Sequence, residues 1–178
     1  MLKNKFQLIA DRQNTIYALD EFKVNGINGS KVFISIHTFK FIHKNVEVLL
    51  KYELGNSNLA EIKFTIPNHI GTKDFKLETK EHFFRIFSAN KDLWKIKGED
   101  KLFISKVKDA LNSSGLSKLA DKTSFEPSIL GKNLNNNYAF NTIFSLSFEN
   151  YDDSIEPIIN FYKQIIDLLI WKIKKTVF

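Results

Sequence analysis

The sequence predicts an α+β fold: an antiparallel β-sheet of about six to eight strands packed against a long C-terminal helix and one mid-chain helix. The whole chain, residues 1–178, reads as a single α+β domain. Three observations carry this. Val46, Val48, Leu50, Tyr52 and Leu54 share one parity while Glu47, Lys51 and Glu53 hold the other, the two-residue period of a strand with one wet face. Tyr138, Phe140, Thr142, Phe144, Leu146 and Phe148 repeat the pattern against Ala139, Asn141, Ser145 and Ser147. Finally, Ile155, Ile158, Ile159, Tyr162, Ile165, Ile166, Leu169 and Ile173 recur at helical spacing, an apolar stripe fit to cover a sheet.

From the N-terminus, Phe6–Ala10 and Thr15–Val24 read as short extended segments separated by the polar Asp11-Arg12-Gln13-Asn14. Asn25-Gly26-Ile27-Asn28-Gly29-Ser30 contains two Asn-Gly pairs, residues that tolerate positive φ. It is the strongest hairpin signal in the chain and pairs Thr15–Val24 with Lys31–Ile42. His43-Lys44-Asn45 turns into Val46–Leu54, and Gly55-Asn56-Ser57-Asn58 turns into Ala60–Ile66. Pro67 stops that strand because it has no N–H for a ladder. Asp74–Leu77 and His82–Phe87 extend the meander.

The second part is more helical. Gly98-Glu99-Asp100 places acidic groups at the positive end of a helix over Lys101–Asn112, with Phe103, Val107, Ala110 and Leu111 as its apolar stripe. Ser113-Ser114-Gly115 ends it, glycine serving as the C-terminal cap. Within Leu116–Leu130, Pro127 argues for an edge strand or an irregular segment, and Gly131 to Asn137 reads as a loop. Asp152, Asp153 and Ser154 cap the last helix, and Pro157 suits its first turn, where N–H groups lack partners. Phe161, Leu168, Ile170 and Trp171 widen its stripe beyond the needs of one sheet face.

Composition narrows the functional classes. The chain is 43% hydrophobic with 17 Phe, enough for a globular core. Its net charge of +6 arises from 26 basic and 20 acidic residues, but only Arg12 and Arg85 are arginine, the side chain that grips phosphate and guanine bidentately. The charges are spread along the chain, so no electrostatic footprint for nucleic acid emerges. The lysine and asparagine bias fits a soluble bacterial-type protein from an AT-rich genome. No cysteine is present, which excludes disulfides and thiolate zinc sites. No signal-like apolar run follows Met1-Leu2-Lys3-Asn4-Lys5, and no segment reaches about 18 uninterrupted apolar residues. The expectation is a cytoplasmic protein.

Catalytic motifs fail one by one. Gly-x-Ser-x-Gly is absent. Gly131-Lys132 resembles the end of a phosphate loop, but the required upstream glycine is replaced by Glu126. Gly26-Ile27-Asn28-Gly29 matches the Gly-x-x-Gly of KH domains only as a string, because it joins strands and not helices. His37 and His43 share a strand face about 20 Å apart, too far to share an ion, and His69 and His82 have no local ligand partner. Asp20-Glu21 point to opposite faces of a strand, and Asp152-Asp153 serve as helix caps. No catalytic, cofactor-binding or metal-ligating residue is assigned.

Two surface features remain. Lys91-Asp92-Leu93-Trp94-Lys95-Ile96-Lys97 could stack single-stranded nucleic acid on Trp94, although interleaved Asp92, Glu99 and Asp100 favour a tryptophan anchoring a strand–helix junction. Around Trp171 and Lys172, the broad apolar arc of the last helix suits sheet covering first, self-association second and a membrane surface third. Trp94, Lys95, Trp171 and Lys172 are therefore the candidate interaction surface, since indole rings are enriched among interface anchors. The leading expectation is a non-enzymatic binding module with a protein partner or a second copy, a homodimer. The alternative is a carrier of a small hydrophobic ligand held between sheet and last helix, lined by Phe33, Phe39, Phe41, Phe64, Phe84, Phe140, Phe144 and Phe148.

Overall fold

The computed structural model describes residues 2–26, 29–67, 72–79 and 93–176, with side chains to Lys172. The described residues form one eight-stranded antiparallel sheet. Its strands are β1 (Tyr17–Asn25), β2 (Lys31–His43), β3 (Val46–Leu54), β4 (Leu59–Pro67), β5 (Phe75–Thr79), β6 (Trp94–Gly98), β7 (Ser128–Leu134) and β8 (Asn137–Ser145). They run side by side in the order β1-β2-β3-β4-β8-β7-β5-β6. Among the described residues there are four α-helices, α1 (Leu2–Arg12), α2 (Lys101–Ser113), α3 (Leu116–Lys122) and α4 (Ile155–Thr176), the last entered through a 3-10 turn at Tyr151–Ser154. The α+β architecture, the antiparallel sheet, the long C-terminal helix and the mid-chain helix are as the sequence predicts.

One sheet face carries the core. Val48, Leu50, Tyr52, Ala60, Ile62, Phe64, Phe140, Phe144 and Ile129 all point to it and all are buried. The register stacks them across strands: Val48 opposes Phe64, and Phe64 opposes Phe140. Every described helix packs on this face. Phe6 of α1 meets Tyr52 edge-on at 5.1 Å, and Phe103 of α2 meets Phe75 at 5.3 Å. Tyr162 of α4 stands perpendicular to Phe140 at 5.3 Å and Phe64 at 5.7 Å. Ile155, Ile158, Ile159, Phe161, Tyr162, Ile165, Ile166 and Leu169 of α4 are all buried, each contributing about 1.5–3 kcal/mol before entropy is counted. The Tyr162 hydroxyl donates to the Ile62 carbonyl at 2.6 Å and lies 2.8 Å from Thr142 Oγ1, so the one polar group of that stripe is satisfied.

The turns follow backbone chemistry. Lys44 and Asn45, both with positive φ, close the β2–β3 hairpin in two residues, as a twist-matched type I′ turn requires. Gly55, at φ +106°, sits where a Cβ would fall 2.0 Å from the Phe33 carbonyl oxygen. Only glycine fits there.

Several expectations need correction. Phe6–Ala10 is not extended; it lies in α1, whose buried residues Leu2, Phe6, Ile9 and Ala10 have helical spacing. That helix ends in a Schellman motif: Thr15 N–H donates to the Ala10 carbonyl at 3.0 Å and Asn14 N–H to Asp11 at 3.2 Å, with Asn14 left-handed. Leu116–Leu130 divides into α3 and the start of β7, and β7 is an interior strand between β8 and β5, not an edge. Pro127 avoids the conflict by standing one residue before it. Residues 131–134 and Asn137 are not loop; they belong to β7 and β8, and the turn shrinks to Asn135-Asn136. Gly131 faces the core there because a Cβ would come within 2.1 Å of the Tyr138 hydroxyl and 2.3 Å of the Phe75 ring. Phe33 is 52% exposed and lines no interior. The expected strand at His82–Phe87, Phe84, and Ile27-Asn28 of the first hairpin turn lie outside the described residues.

Candidate functional site

The four residues of the expected surface do not converge. Trp94 opens β6 and is only 6% exposed. Its Nε1 donates to Ser117 Oγ at 2.9 Å, tying β6 to the first turn of α3, which is the junction-anchor arrangement. Lys95 follows it on the opposite sheet face, opposing Glu78. Trp171 is 46% exposed near the end of α4. Lys172, next in the chain, donates to Asp100 Oδ2 and lies 5.4 Å over the Phe103 ring.

Asp100 is the N-cap of α2, accepting from Phe103 N–H at 2.9 Å. The Lys172 ammonium, together with that amide, holds its carboxyl below the usual carboxylate range. Lys172 therefore works at the start of α2, and Trp94 beyond its end. A helix of 13 residues separates the two neighbourhoods by about 20 Å. Lys91 and Asp92 of the basic–aromatic cluster, and the side chains of Ile173, Lys174 and Lys175, lie outside the described set.

The described histidines hold the sheet to its helices. His37 on β2 is 5% exposed, shares a 2.7 Å hydrogen bond between Nδ1 and the Tyr17 hydroxyl, and packs 5.4 Å from the Phe6 ring. Burial pushes its pKa down, with Lys3 adding to this and Glu21 opposing it. His43 Nε2 lies 2.7 Å from Asp167 Oδ1 of α4, and Lys44 Nζ lies 2.8 Å from the same oxygen. Burial alone would raise the Asp167 carboxyl, but these bonds outweigh it and bring it below its ordinary value. His69 and His82 lie outside the described residues. Among the described residues no three His, Asp or Glu side chains are placed to hold a metal ion, and no helix is long and apolar enough to cross a membrane.

Among the described residues, two of the surface clefts border α4. One of about 310 Å³ lies between α3 and the start of α4, edged by Lys118, Lys122, Glu149 and Asp153. The other, about 210 Å³, lies beside the Arg12–Glu156 ion pair. Neither lining includes a histidine.

The most distinctive surface is one that sequence reasoning missed, the β1 edge. Among the described residues β1 pairs with β2 alone, over nine residues from Tyr17–Phe39 to Asn25–Lys31 without a bulge. Its other edge presents backbone N–H and C=O groups along roughly 30 Å. Large apolar side chains flank it on both faces. Phe22, 43% exposed, stands on the face away from the helices opposite Ile34. Phe33, opposite Lys23, stands on the helix side. The available signal was the mixed parity of β1, where Leu19, Phe22 and Val24 fall on both faces of a strand also carrying Asp20, Glu21 and Lys23. A strand buried on one face would have sorted them.

Comparison with known proteins adds no neighbour: no protein family, curated protein or solved structure matches the chain.

Proposed function

We propose that this protein is a non-enzymatic interaction module that receives a protein strand along the β1 edge. The observation that supports it is a nine-residue edge strand without a described neighbour on one side, flanked by the exposed rings of Phe22 and Phe33. Strand addition draws affinity from main-chain hydrogen bonds and specificity from alternate side chains, and both kinds of group are on offer here. Native proteins guard long edges with charges, prolines or bulges; β1 carries Asp20, Glu21 and Lys23 but neither a proline nor a bulge. The reading of a small hydrophobic ligand under α4 has less support, since Phe64, Phe140 and Tyr162 are already in ring contact there.

Lys23→Pro tests the proposal, because it removes an N–H on the outward edge and blocks a partner strand. Native mass spectrometry of the wild type is expected to show an oligomer or a retained protein partner, and the variant is expected to lose it while keeping its circular dichroism. A variant that keeps the assembly, or a wild type that is monomeric, partner-free and gains no β1 amide protection from an added strand peptide, refutes it.

A further inference from the structure

Resting on the reading of the β1 edge as a docking strand, we propose that its occupant is β1 of a second copy of this chain. The two strands run antiparallel about a two-fold axis at Phe22. Backbone geometry and charge both select this arrangement. The Gly26 N–H donates to the Ser30 carbonyl at 2.7 Å, continuing the register in which Asn25 opposes Lys31. Even-numbered residues of β1 thus turn their polar groups toward β2. Leu19, Glu21, Lys23 and Asn25 turn theirs outward.

A two-fold between antiparallel strands opposes residues of equal parity, so the axis passes through a residue. An axis at Asp20, Glu21 or Lys23 sets like charges face to face. An axis at Leu19 overlaps only the first part of the strand and opposes no unlike charges. At Phe22 the charges complement one another. Glu21 of each copy opposes Lys23 of the other, twice over, on the helix side of the sheet. The outward backbone groups of those same residues then form the hydrogen-bonded pairs. Phe22 meets Phe22 of the second copy as a non-hydrogen-bonded pair, where Cα atoms approach to about 4.5 Å and side chains are closest. The contact is isologous and self-limiting, so it closes as a dimer.

The chain contains no cysteine, so Phe22→Cys introduces a single thiol pair within disulfide reach, about 4.4–6.8 Å between Cα atoms. Mild oxidation is expected to give a covalent dimer from Phe22→Cys and not from Glu21→Cys or Lys23→Cys, each of which faces the other position. Sedimentation is expected to show Glu21→Lys and Lys23→Glu each weakening the wild-type dimer about tenfold or more, about 1.4 kcal/mol, with the double variant restoring it. Cross-linking at 21 or 23 in preference to 22, or failure of the double variant to recover, overturns the register. A wild type that sediments as a monomer at every concentration overturns the second copy as occupant. In that event a synthetic peptide of residues 17–25 separates the two proposals: protection of the Leu19, Glu21 and Lys23 amides from hydrogen exchange leaves the docking edge standing, and no protection removes both.

Discussion

Tyr162→Phe probes the bond between the last helix and the sheet more sharply than any truncation. Tyr162 is fully buried, and the variant keeps its ring in contact with Phe64 and Phe140 while deleting a single oxygen. That oxygen bonds the Ile62 carbonyl at 2.6 Å and Thr142 Oγ1 at 2.8 Å. Thr142 is itself 2% exposed, so water cannot replace the lost partner. Each buried hydrogen bond contributes about 1 kcal/mol, and a stranded buried group costs about 1–3 kcal/mol. The expected destabilisation is about 2 kcal/mol. With an unfolding entropy near 2.1 cal/mol/K per residue, it lowers the melting temperature by about 5 °C for a chain of this length. Urea denaturation of wild type, Tyr162→Phe, Thr142→Val and the double variant closes a cycle. The double variant should cost clearly less than the sum of the singles, because it removes both ends of one bond. A loss below about 0.5 kcal/mol, the scale of a surface change, or strict additivity, would refute the account of α4 as anchored through this hydroxyl.

Two further outcomes concern titration. His37 has a folded pKa below its ordinary value, chiefly because it is buried; the unfolded chain takes up that proton first as pH falls through about 6.5. Stability is thus expected to decline from pH 7.5 toward pH 5, and His37→Gln to flatten that decline; equal urea-midpoint losses in both proteins would contradict it. The Asp100 carboxyl lies below its ordinary value when folded, through Lys172 and the Phe103 amide, so its contribution is full above about pH 4 and is lost as pH falls through the folded value. Asp100→Ala is expected to cost about 1–2 kcal/mol at pH 7, the scale of a lost helix cap plus a partly exposed ion pair, with a smaller difference from wild type in strong acid. A difference that stays constant down to pH 2 would show that Lys172 does not act through that carboxylate.

How far each element was legible depended on whether its partner lay in its own pattern. β3 and β8 declared themselves because one face is wet, and alternation is the direct imprint of that. Helix α2 did so because Phe103, Val107, Ala110 and Leu111 repeat within one helix face. Helix α1 did not: eleven residues are too few for a self-supporting helix, and what holds it is Phe6 against Tyr52, distant in the chain. β7 was hidden for a similar reason. Gly131-Lys132-Asn133-Leu134 has no strand character of its own, and it is extended because β8 offers a ladder along its whole length and β5 a second one as far as Gly131. The two tryptophans looked alike in sequence, yet burial separates them, with Trp94 packed and Trp171 46% exposed.

The sequence by itself determined the class of fold and its principal core, because the period of apolar residues reports which side of an element meets water. Only the tertiary structure decided that β1 stands at the rim of the sheet. Strand order is set by pairings between segments far apart in the chain, such as β4 with β8. Local pattern carries no record of them, and so Phe33, expected to line an interior, stands exposed beside that rim, opposite Lys23 of β1.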